Sequence, residues 1–141
     1  MTLDEMKLDD VLETFEVLDD WEDRYRYLID LGRMLPAFPD QARTPANKVR
    51  GCVSQVWLNP HLSDDNPPKL FFEGDSDAHI VKGLVALMML LFSGHTAKEI
   101  VETDAKAVLE TLGLSRHLSP MRTNGLFSMV GRIQDIARAS A

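Results

Sequence analysis

The chain has a single cysteine, Cys52, in 141 residues. One cysteine excludes an intramolecular disulfide framework and suits a reducing compartment. Long apolar runs are missing too. The longest, Leu84 to Phe92, is nine residues, against the roughly 20 that a membrane-spanning helix needs, so it reads as a buried core helix. An excess of positive charge is also absent: 15 Lys and Arg against 22 Asp and Glu give a formal net charge of −7. That balance disfavours binding to a nucleic-acid backbone or an anionic membrane. The opening residues Met1-Thr2-Leu3-Asp4-Glu5 lack the charged-then-apolar pattern of an export signal, which points to the cytoplasm. No internal repeat, low-complexity tract or linker divides the chain. With 45% hydrophobic and 26% charged residues, residues 1–141 read as one globular domain long enough to bury a core.

What is present is a mixture of helical and strand patterns. Leu8, Val11, Leu12, Phe15 and Leu18 recur at helical spacing above an acidic face of Asp9, Asp10, Glu13, Glu16 and Asp19. Asp20 is placed to cap a second helix with Trp21, Tyr25, Leu28 and Leu35 on its buried stripe. Pro36 to Asn47, with three prolines, breaks that helix into a long loop. Val53 to Leu58 reads as a strand that Pro60 stops, and Lys69 to Glu73 as a second, the two forming an antiparallel hairpin. Gly74-Asp75-Ser76-Asp77 then reads as a turn offering an N-cap to an apolar helix through Ile80, Leu84, Leu87, Met88 and Leu91. Gly83 inside that helix costs about 1 kcal/mol relative to alanine, which implies that another backbone packs closely there. Gly94 ends it. Short helices follow from Ala97 to Glu102 and Ala105 to Thr111, and Ser119-Pro120 starts a last helix burying Leu126, Met129, Val130, Ile133 and Ile136. The fold class is α+β: a small antiparallel sheet flanked by helices.

The chemistry concentrates in Asn47 to Leu58. Cys52 stands where the long loop becomes a strand, after Arg50 and Gly51. Gly51 permits backbone angles closed to other residues and leaves one flank of the thiol bare. A nearby cation such as Arg50 raises the thiolate fraction of a cysteine whose ordinary pKa is about 8.5. Two readings stand at this point: a small buried hydrophobe, as free cysteines usually are, or a thiol that another molecule reaches.

Val49-Arg50-Gly51-Cys52-Val53-Ser54-Gln55-Val56-Trp57 resembles the signature of the SufE/CsdE family of cysteine desulfuration proteins. Three further blocks agree in order: Trp21-Glu22-Asp23-Arg24-Tyr25 with Leu31-Gly32 and Leu35-Pro36; Gly74 to Ala78 with Ile80 to Leu84; and Leu118-Ser119-Pro120 with Arg122 and Asn124-Gly125-Leu126. The likeness runs from about Trp21 to the last helix. Val53 departs from it, standing where a polar residue is expected in many relatives. The resemblance implies a SufE/IscU-like fold and an accessory sulfur carrier rather than a free-standing enzyme. Cys52 would take persulfide sulfur from a pyridoxal-phosphate-dependent cysteine desulfurase of the SufS/CsdA type, activate that desulfurase, and deliver sulfur to an iron–sulfur assembly scaffold. The pyridoxal phosphate belongs to the partner; no cofactor or metal of the chain's own is implied. Supporting roles fall to Arg50 (thiolate or partner contact, or plain surface charge), Gly51 (loop geometry) and Gln55 (a loop hydrogen bond, or an exposed strand position). Asp75 lies near the sulfur loop or merely caps a helix. Arg122 contacts the loop or Asp75, or is a surface arginine. A persulfide needs shelter from reductants, and apolar neighbours such as Val53 are expected to supply it.

Three rivals remain. An iron–sulfur scaffold needs several soft ligands, whereas His61, His79, His95 and His117 show no metal-ligand spacing with Cys52. A cysteine hydrolase needs a positioned histidine base. A regulator that acts on a desulfurase by binding alone needs no thiol. Whether the chain forms a homodimer stays open.

Overall fold

The computed structural model describes residues 3–52 and 54–140; the readings of Val53 as the start of a strand and as shelter for the sulfur lie outside the described residues. Helix α1 (Leu8–Val17) buries Val11 and Phe15. The Asp10 carboxylate accepts from the Lys7 backbone N–H at 2.9 Å, tying down its first turn. Helix α2 (Trp21–Arg33) starts as expected, the Asp20 carboxylate accepting from the Glu22 N–H at 3.0 Å. Helix α3 (His79–Phe92) buries Gly83 through Met89 without interruption. A helix apolar on nearly every face belongs in the interior, and α3 is the centre of the core. The close packing anticipated at Gly83 is present. A side chain on Gly83 would run into the Leu28 carbonyl of α2, and one on Gly32 would lie 2.7 Å from the Gly83 nitrogen. Two facing glycines thus let α2 lie on α3 at backbone contact.

Strands β1 (Val56–Leu62), β2 (Lys69–Ser76) and β3 (His95–Thr96) form an antiparallel sheet in that order. Pro60 does not stop β1, which runs on to Leu62. The reason is parity. Val56 and Leu58 direct their backbone groups away from β2, to Val49 and Asn47, and Pro60 shares that direction on an edge strand. Its missing N–H therefore costs no ladder bond. Gly74-Asp75-Ser76 is strand rather than turn, pairing with Leu58, Trp57 and Val56. Gly74 fits there because Val85 lies 2.5 Å from where its Cβ would be. Consequently none of Asp75, Ser76 and Asp77 occupies the N-cap of α3. Ala78 does, without a side-chain cap, and the Ser76 hydroxyl accepts from its N–H at 3.3 Å. The two-residue β3, reached through Gly94 (φ +85°), is too short to leave a sequence pattern.

Helix α4 (Ala97–Glu102) has the Thr96/Glu99 capping box, and α5 (Ala105–Leu112) is capped by Asp104 and ends at Gly113 in the left-handed region. A one-turn helix α6 (Leu114–His117), unforeseen in the sequence, leads into α7 (Pro120–Ser140). The Ser119 hydroxyl accepts from the Arg122 N–H at 3.2 Å, the expected cap. Helix α7 buries Gly125, Leu126, Met129, Val130, Ile133 and Ala137; Ile136 is half-buried. Among the described residues, no helix is long and apolar enough to cross a membrane.

Candidate functional site: a thiol at the base of an apolar cleft

The segment before Cys52 is pinned along the outer edge of β1. The Val49 N–H donates to the Val56 carbonyl at 2.8 Å and the Leu58 N–H to the Asn47 carbonyl at 2.9 Å. Val49 is buried, so the chain is anchored three residues before the thiol. The other end is held by Asp77, whose carboxylate accepts from the Gln55 N–H at 3.0 Å while its own N–H donates to the Gln55 carbonyl at 3.3 Å. Between these anchors, Gly51 adopts φ +87°. A Cβ there would meet the Ser128 hydroxyl at 2.5 Å, so the turn rests directly on α7.

Helix α7 supplies the floor. The Cys52 thiol donates to the Gly125 carbonyl at an Sγ···O distance of 3.5 Å, and a Cβ on Gly125 would stand in ordinary contact with the thiol, 3.5 Å from Sγ. Arg132 of the same helix donates to the Ala46 carbonyl. Cys52 is half-buried at the base of a cleft of about 230 Å³. Val81, Leu84, Leu126 and Met129 form its apolar wall; Ser119, Met121 and Arg122, all exposed, stand at its rim.

The sequence suggested a thiol activated by charge. Instead, burial pushes the Cys52 thiol above its ordinary range. The resting group is a protonated thiol, and Gly125 presents an acceptor that favours keeping the proton. Two consequences follow for titration. Alkylation of folded Cys52 by iodoacetamide is expected to reach half its limiting rate at a higher pH than alkylation of the urea-unfolded chain. And because the fold raises this pKa, the associated stability is present below the unfolded thiol's pKa and disappears as pH rises through the folded one. Coincident alkylation profiles for the two states would contradict this.

The other candidates are dispersed. Arg122 reaches the Cys52 cleft, Arg50 is exposed on the loop, and Gln55 is a loop anchor through its backbone and through its side-chain amide, which donates to the Asp77 carboxylate at 3.5 Å. Asp75 lies on the outer face of β2, and its partner is not Arg122. Arg43 of the long loop donates to it at 2.7 Å, and Lys82 lies at 3.4 Å. The Arg43 guanidinium also sits 5.2 Å from the Phe38 ring centroid and 5.0 Å from that of Trp57, binding the proline-bearing loop to the sheet. Burial alone would raise the Asp75 carboxyl, but Arg43, the Ser76 N–H and Lys82 outweigh it and hold the group below the usual carboxylate range. Asp75→Asn is therefore expected to lower the urea midpoint near neutrality. The deficit should shrink as pH falls, because the wild type loses this contribution once Asp75 protonates, below the unfolded carboxylate range. A deficit independent of pH would assign the loss to packing.

Sequence reasoning missed Gly125 and Arg43 as site-shaping residues. A signal existed for Gly125, since a glycine inside a helix implies close packing; none existed for Arg43. Three of the four histidines are engaged elsewhere: His61 with Glu73 at 2.7 Å, His95 with Glu99 at 3.9 Å, and His117 stacked on Trp21 with ring centroids 3.9 Å apart; His79 is exposed at the first position of α3. Trp21 is thus a platform for a protein side chain. Among the described residues, no three His, Cys, Asp or Glu side chains gather as a metal-ligand group.

Comparison with known proteins gives a family from sequence and a fold from shape. Residues 9–137 match the family model described as SufE, Fe-S metabolism associated domain. An uncharacterized SufE-like protein of Rhizobium etli is 53% identical over 135 residues, covering 95% of this chain and 91% of the relative. One of Rhizobium meliloti is 53% identical over 131 residues, covering 92% and 94%. The solution structure of a hypothetical protein from Thermus thermophilus superposes with a TM-score of 0.75 over 94% of each chain at 21% identity, a likeness of fold. The chain belongs to the SufE family, whose domain is associated with iron–sulfur metabolism.

Proposed function

We propose that the protein is a sulfur acceptor and carrier, in which Cys52 takes sulfane sulfur from a pyridoxal-phosphate-dependent cysteine desulfurase and passes it toward iron–sulfur cluster assembly. The observation that carries the reading is the chain's one thiol at the base of a cleft with an apolar wall and a cationic rim. Such a place excludes much of the solvent from a bound persulfide yet leaves an entrance for a donor. In the transfer, the Cys52 sulfur bonds to the outer sulfur of the donor's persulfide. The donor's sulfur–sulfur bond breaks, and the proton released by Cys52 ends on the donor cysteine as that thiol leaves. Nothing is oxidised overall. Emptying the donor frees it for another turnover, so the carrier acts as an activator and is not itself an enzyme. Pyridoxal phosphate stays with the partner.

The supporting roles in this proposal rest on placement. Gly51 and Gln55 shape the ends of the loop, Arg50 and Arg122 offer positive charge to a partner or a bound anion, and Asp75 holds the preceding loop through Arg43. The test mixes the protein with a desulfurase and L-cysteine without reductant and reads Cys52 by non-reducing mass spectrometry. Added sulfur on Cys52 is expected; an unmodified Cys52 beside a stimulated desulfurase would refute the carrier role.

A further inference from the structure

The cleft is larger than one transferred atom requires, and its charge is placed for something longer. Its volume of about 230 Å³ is several times the roughly 30 Å³ that a water molecule takes in the liquid, and a divalent sulfur is of similar bulk. Beside the thiol, the polar group met by Cys52 is the Gly125 carbonyl, an acceptor. A persulfide carries its negative charge on the outermost sulfur. With one added sulfur, that charge lies close to the carbonyl and the buried side chains of Val81, Leu84, Leu126 and Met129, where an unpaired charge is costly. Each further sulfur carries the charge outward, toward the exposed Arg122 at the rim. The sulfurs left inside are neutral and polarisable, as the Met129 thioether is, and match an apolar wall.

We propose that Cys52 holds a short polysulfide of two or three sulfane sulfurs, its neutral part along the apolar wall and its anionic end at Arg122. This rests on the reading of Cys52 as a sulfur acceptor and extends it from a one-atom to a several-atom cargo. Extension repeats the loading chemistry. The terminal sulfur of Cys52–S–S⁻ bonds to the outer sulfur of a donor R–S–SH, the donor's sulfur–sulfur bond breaks, and R–SH leaves with the proton. The product is Cys52–S–S–S⁻, with charge and atoms conserved and no oxidant needed.

The full chain is treated with excess inorganic tetrasulfide, then alkylated, and its intact mass is read. Adducts of two and three sulfur atoms beside the one-sulfur form are expected, and none on Cys52→Ser. Two variants shorten the available space. In Gly125→Ala the new methyl would lie 3.5 Å from Sγ and 3.8 Å from Cα and Cβ of Cys52, ordinary contacts that permit folding while crowding the inner end. Met121→Trp, at a position 59% exposed, narrows the mouth without touching the core. Both are expected to stop at one sulfur. A wild type that stops at one under excess donor overturns the proposal, as does equal chain growth in the wild type and both variants. A parallel arm with a desulfurase and L-cysteine separates the two readings. Delivery of no sulfur there strikes at the acceptor role, whereas delivery of one sulfur and never more strikes at the polysulfide alone.

Discussion

Cys52→Ser is expected to abolish sulfur acceptance and to return a stimulated cysteine desulfurase to its turnover without this protein. The substitution is nearly isosteric. Among the described residues, the thiol's polar contact is a weak one, to the Gly125 carbonyl at 3.5 Å, and a hydroxyl can donate to the same oxygen. The fold should therefore lose no more than about 1 kcal/mol, the usual net value of one neutral hydrogen bond. The reaction, in contrast, loses its only nucleophile. A serine hydroxyl is scarcely ionised near neutrality and forms no stable counterpart of a persulfide, so no carrier species accumulates. A regulator acting by binding alone would keep its stimulation in this variant, because the surface around position 52 is almost unchanged. Desulfurase turnover with and without the variant, set beside its urea midpoint, decides between them: full stimulation by folded Cys52→Ser would end the carrier reading.

How far this site was legible in the sequence depended on the range of the interaction concerned. Helices whose caps and apolar stripes lie within a few residues, such as the one opened by Asp20 and the one opened by Ser119-Pro120, were readable because the relevant physics is local. The hairpin was readable, but its extent was not. Whether Pro60 ends a strand depends on which way its missing N–H points, and whether Gly74 to Ser76 is turn or strand depends on pairing with Trp57 and its neighbours. Both are settled across the sheet. Asp75 shows the same limit. A short acidic turn before a helix is good evidence for a cap, yet a guanidinium 32 positions earlier takes the carboxylate instead. Cys52 stood out because it has no competitor and because flexible Gly51 precedes it, but the local charge of Arg50 suggested a depressed pKa. Burial against α7, contributed by residues more than 70 positions away, sets the direction.

The largest stability effect is expected from the smallest addition, Gly83→Ala. In an unobstructed helix this change is favourable by about 1 kcal/mol, because alanine loses less backbone entropy than glycine. At Gly83 the added methyl points at the carbonyl group of Leu28, which is backbone within the packed α2 and has no rotamer to escape into. Overpacking of this kind costs about 1–3 kcal/mol and occasionally more, and separating two helices at backbone contact belongs at the upper end. Set against the helix preference, the net loss is about 2 kcal/mol, a large part of the 5–15 kcal/mol typical of a domain. Gly131→Ala on α7 is the internal control, since nothing lies within 4 Å of the new methyl. There the helix preference is expected to appear undiminished, as a gain approaching 1 kcal/mol. The same chemical change should thus move the urea midpoint in opposite directions at the two positions. The loss at Gly83 should also reach the site, because α3 carries Val81 and Leu84 of the cleft wall and Asp77 directly before it anchors the Cys52 loop. Faster alkylation of Cys52 in folded Gly83→Ala would be the mark of that connection. A Gly83→Ala protein as stable as the wild type would mean that α2 and α3 do not meet as closely as their two facing glycines imply.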